Sequence, residues 1–434
     1  MRSARSRLST PRSRTRLQPV SVSPSRSTST MAIDRTTTGA LLVLALGACA
    51  SEPIDRETEL ASLGESLFHD TNLSANRTQS CATCHDPERA FTDGRTDNGR
   101  VRAVSLGDDG ASLGDRNAPT ATYAAFITPT ALTDGTRRRF NRHEGNRLYE
   151  GPLGGLFHDG RAVGLEGQAA GPPLNPIEMG MPSRDAVVAR LLGDPGYEGS
   201  FRSLFGDAVF DDPSAAYDAM TEAIAAFERT ETFAPFDSKY DRILAGDEQF
   251  SFMELTGRSL FFSEFTNCSI CHQLHGSSDP SNRTRETFSG YEFHNIGVPV
   301  NTEIRALNGT TEADLGLASN AAYDAPEHRG RFRVPTLRNV AVTGPYMHNG
   351  VFRSLRTTIV FYLHFIDPEG HPNNPETGEP WREAEVPETF AMDLLRVGRP
   401  LSELEIDSLV CFLQTLTDRR YEPLLSDTSA SCAD

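Results

Sequence analysis

Two pentapeptides constrain this chain more than any other feature: Cys81–Ala82–Thr83–Cys84–His85 and Cys268–Ser269–Ile270–Cys271–His272. Two thiols separated by two residues, followed at once by an imidazole, form the attachment signature of c-type haem. The thiols bond to the vinyl groups, and the imidazole reaches the iron from the proximal side. Zinc knuckles and redox dithiols also use Cys-x-x-Cys. Neither calls for a His directly after the second Cys, twice over. Two covalent haem c groups are therefore expected, one on Cys81, Cys84 and His85, the other on Cys268, Cys271 and His272. A haem supplies core surface that side chains would otherwise provide. That suits a chain only 38% hydrophobic, with 35 Gly and 27 Pro. The motifs stand 187 residues apart, which predicts a mainly α fold of two cytochrome c-like helical domains with long loops. No sustained period-2 alternation appears, so little sheet is expected.

Apolar periodicity predicts helices over residues 57–67, 184–192, 214–229, 252–262, 357–365 and 402–416. The last opens with Ser402 and Glu405 in capping-box spacing and carries Leu404, Ile406, Leu409, Val410 and Leu413 as a buried stripe. The expected domains are 55–235 and 245–420, joined around 233–249, with a tail at 421–434. Segments rich in Gly, Pro and Asn, at 151–183, 284–325 and 366–390, read as loops. The last holds Trp381, the only Trp.

Residues 1–49 read as a leader. The first thirty are rich in Arg and Ser without an acid, and Met31 opens a second start. An apolar run at 39–47 ends in Leu46–Gly47–Ala48–Cys49, which has the form of a lipoprotein cleavage site. Export to the periplasm is expected, either anchored by lipid on Cys49 or as an ordinary secreted protein. Cys411 and Cys432 are then either a disulfide or two free thiols. Residues 1–48 carry +7, and removing that from the net −17 leaves −24 for the rest. Such an acid excess excludes nucleic acid as a partner. It would attract a basic electron donor, or serve solubility alone. No internal apolar run is long enough to span a bilayer.

Several further blocks carry a resemblance: Leu63–Gly64–Glu65–Ser66–Leu67–Phe68, Phe91–Thr92–Asp93–Gly94, Arg116–Asn117–Ala118–Pro119–Thr120, Phe157–His158–Asp159–Gly160–Arg161, Asn175–Pro176–Ile177–Glu178–Met179, Val334–Pro335–Thr336–Leu337–Arg338–Asn339 and Pro345–Tyr346–Met347–His348–Asn349–Gly350. In this order, over residues 58–420, the chain resembles the bacterial di-haem cytochrome c peroxidase and MauG family. The resemblance implies that the first haem meets peroxide and the second stores and relays an electron. Peroxide cleavage needs a group that moves a proton between the two oxygens and a neighbour that orients them. Glu178 and Gln168 match that pair, and Pro172 a proline on the same face. Asp109 stands where many family peroxidases place a His that blocks the first iron, which implies an open site. His143 is the remaining imidazole that could close it. Tyr362 stands where the second haem usually has a distal Met and MauG has a Tyr. It is the implied iron ligand, with His364 and Met347 as weaker candidates. His158 replaces the family's Trp between the haems. The resemblance further implies one Ca2+ on Asn117, Thr343 and Pro345. Arg161, Arg333 and Arg338 are implied partners for haem propionates.

Three functions follow as expectations. The first is a periplasmic peroxidase reducing hydrogen peroxide to water with electrons from a small cytochrome c or cupredoxin. The second is a MauG-like enzyme that uses peroxide to oxidise residues of a protein partner. The third is a non-catalytic di-haem electron carrier. Family members are often homodimers.

Overall fold

The computed structural model describes residues 55–127, 137–138, 148–149, 151–274, 285–427 and 432. The leader with Cys49, and His143, lie outside the described residues. Sheet is confined, among the described residues, to three antiparallel ladders of two residues per strand: Thr96–Asp97 with Arg100–Val101, Arg137–Arg138 with Leu148–Tyr149, and Phe293–His294 with Phe332–Arg333. The rest of the regular structure is helical, as expected.

Helix α1 (Arg56–His69) starts where the Asp55 carboxylate accepts the Thr58 N–H at 2.8 Å. The short α2 (Cys81–Cys84) is closed by a capping box between Ser80 and Thr83. After α3 (Leu165–Ala169) come α4 (Arg184–Leu192), α5 (Pro195–Phe205) and α6 (Pro213–Glu228). The last three are N-capped by Ser183, Asp194 and Asp212. One core gathers Leu63, Leu67 and Phe68 from α1, Val187 and Leu191 from α4, and Tyr217, Met220, Ala223 and Phe227 from α6.

The second half contains α7 (Lys239–Ala245), α8 (Phe252–Phe261), α9 (Thr302–Asn308), α10 (Leu355–Ile366), α11 (Met392–Leu395) and α12 (Glu403–Gln414). A second core joins Leu260 and Phe261 of α8, Val360 and Leu363 of α10, and Ile406, Leu409, Phe412 and Leu413 of α12. Both cores pair a helix just before a haem motif with a later helix: α1 against α6, and α8 against α12. Each crossing is tight enough to demand glycine. A Cβ on Gly64 would overlap the Ala223 carbonyl, and one on Gly257 the Ser408 carbonyl.

Four expectations change. The segments 151–183 and 284–325, read as loops, contain α3 and α9. The connection at 233–249 is not plain linker, because α7 forms within it. Ser238 and Asp241 make its capping box, and Tyr240 is buried in the second core. Leu404 is exposed, not part of the α12 stripe; it lies two residues, about 200° around the helix, from buried Ile406.

Cys411 and Cys432 form a disulfide, 21 residues apart, that ties the C-terminal segment to α12. Cross-linking restricts the unfolded chain, so Cys432→Ser is expected to lower the unfolding free energy by about 2–4 kcal/mol. Urea denaturation of the holoprotein with and without the substitution measures this; equal midpoints would mean the bridge stabilises nothing.

Candidate active site

Each Cys-x-x-Cys-His motif opens on its own cavity. Cys81, Cys84 and His85 line the first, together with Gln168, Pro172, Glu178 and Arg161. Cys268, Cys271 and His272 line the second, together with Tyr362, Met347 and His348. Residues 117–120, His158, Asp314 and Arg333 line both. None of the four motif cysteines is in a disulfide.

The proximal sides are built alike. His85 Nδ1 lies 3.0 Å from the Phe91 carbonyl oxygen, and His272 Nδ1 lies 3.0 Å from that of Phe288. A carbonyl only accepts, so Nδ1 carries the hydrogen and Nε2 keeps its lone pair for iron. Both phenylalanines sit at φ +53°, a left-handed turn that aims the carbonyl back at the ring. Burial lowers both imidazole pKa values, that of His272 to about 4, which holds them in the neutral form a metal requires.

Arg333 shows that the cavities suit an anionic cofactor. It is buried, yet among the described residues it has no carboxylate partner; its guanidinium N–H groups reach only the Phe157 and Val334 carbonyls, at 3.4 Å. Burial pushes its pKa down to about 10. A buried unpaired guanidinium is costly, and a haem propionate in either cavity would answer it. Thiol pairs, iron-ready imidazoles and this unpaired cation together fit two haem c groups.

Arg338 does not serve that purpose. It is fully buried on Asp241, with contacts of 2.5 Å and 2.9 Å, and also donates to Ser238 Oγ and the Glu286 carbonyl. It borders neither cavity. The expected propionate partner is thus a structural ion pair between α7 and residues 336–339. Arg161 does face the first cavity, but its charge is shared with Asp159 at 2.8 Å and it stacks 3.6 Å over the Phe157 ring.

Glu178 and Gln168 come together in the first cavity, ten residues apart in sequence. Burial raises the Glu178 pKa, while the Arg161 charge and a hydrogen bond to Asn175 pull the other way. Asp109 points elsewhere: its carboxylate caps its own exposed turn through Ala111, Ser112 and the Ser112 hydroxyl. The imidazoles on this cavity's described wall are His85 and His158.

In the second cavity Tyr362, on α10, faces the motif cysteines, and burial pushes its hydroxyl well above the ordinary tyrosine range. Met347 shares the wall. His364 does not: its Nδ1 bonds the His371 carbonyl oxygen at 3.0 Å and its ring lies against Trp381. Its place off the cavity wall, and not the Nδ1 bond, removes it as a ligand candidate. His158 stands between the cavities, with Nε2 2.9 Å from the Asn117 carbonyl oxygen. Burial, then the Arg116 charge, lower its pKa to about 4, so it is neutral. Asn117, Thr343 and Pro345 share one wall of the second cavity. The Asn117 amide nitrogen donates to the Ala103 carbonyl, leaving Oδ1 as the side chain's donor to a cation. Oxygen donors of this kind suit calcium.

Sequence reasoning missed three wall features. Arg116 bridges Asp159 at 2.7 Å and Asp314 at 2.6 Å. Glu228, the last residue of α6, is buried in the first cavity with Oε2 unpartnered, and burial raises its pKa to about 8. His294 pairs with buried Glu292 at 3.0 Å beside Cys271. The first two have no local signal, since each depends on residues brought together by the fold. The His294–Glu292 pair is local, two residues apart, and its spacing is the signal that could have found it.

Residues 58–249 match the family model for di-haem cytochrome c peroxidase. The methylamine utilization protein MauG of Paracoccus denitrificans is 48% identical over 399 residues, spanning 91% of this chain and 97% of that protein. The chain belongs to the di-haem cytochrome c peroxidase family. The cytochrome c peroxidase Ccp of Escherichia coli is 29% identical over 377 residues, 87% of this chain and 62% of that one. Among solved structures, the diheme peroxidase BthA from Burkholderia thailandensis aligns with a TM-score of 0.71 at 30% identity, covering 88% of this chain and 93% of that one. As a di-haem peroxidase, the enzyme is a mainly helical oxidoreductase acting on peroxide, and its family implies two haem c groups.

Proposed function

We propose that this enzyme is MauG-like: it uses hydrogen peroxide to oxidise residues of a protein partner outside the cytoplasm. The observation that carries the reading is the first cavity, where Glu178 and Gln168 share a wall with no described histidine besides proximal His85 and His158. The 48% identity to a MauG protein supports it. Bound through Cys81, Cys84 and His85, the haem would supply the iron at which the O–O bond of peroxide breaks. Glu178 accepts the proton from one peroxide oxygen and returns it to the other, which leaves as water. Gln168 orients the peroxide through its amide. Tyr362 would ligate the second haem as a phenolate, which favours oxidised iron. Asn117, Thr343 and Pro345 would hold calcium. The leader at 1–49 supports a periplasmic site of action, with Cys49 as a lipid anchor. A homodimer is the family's common assembly.

A second reading is kept by one observation. His158 stands where the family has a Trp, and a neutral imidazole passes an electron hole less readily than an indole. That favours a peroxidase drawing its electrons from a small cytochrome c or cupredoxin. Either way, two electrons and two protons turn each peroxide into two waters.

The test adds stoichiometric hydrogen peroxide to the fully ferric holoprotein and follows the Soret band. A prompt change is expected, because Asp109 leaves the first cavity unblocked. A band that stays unchanged until one haem is reduced would overturn the MauG-like reading for a reductively activated peroxidase.

A further inference from the structure

Tyr123 is 1% exposed and lies on a segment that walls both cavities: Tyr123 itself borders the second, and Ala121 and Ala124 the first. Its hydroxyl donates to Asp418 Oδ1 at 2.5 Å, the distance of a charge-assisted O–H···O⁻ bond. Asp418 is fully buried, and Asn339 holds it twice: Asn339 Nδ2 donates to Asp418 Oδ2 at 2.8 Å, and Asn339 Oδ1 accepts the Asp418 N–H at 2.8 Å. The Phe236 N–H donates to the phenol oxygen at 3.3 Å, a bond that survives loss of the phenol proton.

We propose that Tyr123 is a redox-active residue of this enzyme, giving an electron to the peroxide-oxidised cofactor while its phenol proton passes to Asp418. The proposal rests on the reading that peroxide oxidises the haem centre. In the step, the Tyr123 O–H bond breaks and an O–H bond forms on Asp418 Oδ1. The ring loses one electron and the cofactor gains it. A buried phenol cannot be oxidised readily unless its proton has somewhere to go, because the phenol cation would stand as an unpaired buried charge. Asp418 removes that obstacle. Burial raises its pKa to about 6, so at neutral pH it is mostly ionised, yet accepts a proton more readily than an ordinary Asp.

The other tyrosines on the cavity walls lack such an acceptor. Tyr346 donates to the Val340 carbonyl, which cannot take a proton, and Tyr362 faces the motif cysteines as the proposed ligand. The Arg338 guanidinium, 5.4 Å from the Tyr123 ring centre, would oppose a positive hole by itself. Its bidentate pairing with Asp241 offsets that charge.

The test freeze-quenches ring-deuterated-tyrosine holoenzyme after stoichiometric peroxide, recording electron paramagnetic resonance and the Soret band on one sample. A tyrosyl signal narrowed by deuteration is expected. Tyr123→Phe, which keeps the ring, should abolish it, and Asp418→Asn should weaken it. A tyrosyl signal that survives Tyr123→Phe would overturn the proposal. So would its absence from wild-type enzyme whose Soret band responds. A Soret band that does not respond would instead fail the peroxide reading, and the proposal with it.

Discussion

Glu178→Gln is expected to slow the reaction of the ferric holoenzyme with peroxide by about 10²–10⁴-fold, the usual contribution of a positioned general acid–base group. The substitution keeps the shape of the side chain and removes the proton acceptor. Haem attachment would run through Cys81, Cys84 and His85, so the resting spectrum should be unchanged. The wild-type pH dependence has a definite sign. Burial raises the Glu178 pKa, and in the proposed role only the carboxylate would accept the peroxide proton. The rate therefore climbs as pH rises through that raised value, and the Gln variant loses the limb. Stopped-flow traces at several pH values measure both effects. A Gln variant that reacts as fast as wild type would remove Glu178 from the chemistry.

The second large effect is on stability. Asp241→Ala is expected to cost about 3–5 kcal/mol, because it leaves the Arg338 charge buried without its partner. Arg338 has no exposed surface; the remaining hydrogen bonds of its guanidinium go to the Ser238 hydroxyl and the Glu286 carbonyl, neither of them charged. Asp241 is also the third residue of α7 and completes its capping box, so the start of that helix loosens too. Chemical denaturation of the holoprotein gives the value. Replacing both partners, with Asp241→Ala and Arg338→Met, should recover part of the loss, because the orphaned charge is then gone. A double variant no more stable than Asp241→Ala would assign the cost to the cap and not to the ion pair.

Much of this molecule is legible in its sequence wherever the signal is local. The two haem motifs announce themselves by spacing, and α4 follows its apolar period to the residue. The Ser402 and Glu405 box starts α12 where expected. Gln168 and Glu178 lie only ten residues apart, on α3 and the segment that follows it, and share a cavity. Long-range partners leave no such trace. Nothing near Arg338 in sequence names Asp241, 97 residues away, so a buried ion pair reads as a candidate propionate partner. Glu228 ends an amphipathic helix, where a carboxylate would ordinarily be solvated; only the packing of α6 over the cavity buries it. Leu404 misleads for the opposite reason, since its apolar character joins a stripe that its angle around the helix does not.

The paired construction of the two proximal sides has a consequence for how the sites divide their labour. A glycine-locked helix crossing, a Cys-x-x-Cys-His turn and a left-handed phenylalanine whose carbonyl fixes the imidazole recur in both halves. Whatever these parts do to an iron, they do to both irons alike. The asymmetry of the enzyme is then written on the facing walls, where one cavity presents Glu178 and Gln168 and the other Tyr362. Exchanging a handful of side chains there, with the scaffold untouched, is the economical route to making either site resemble the other.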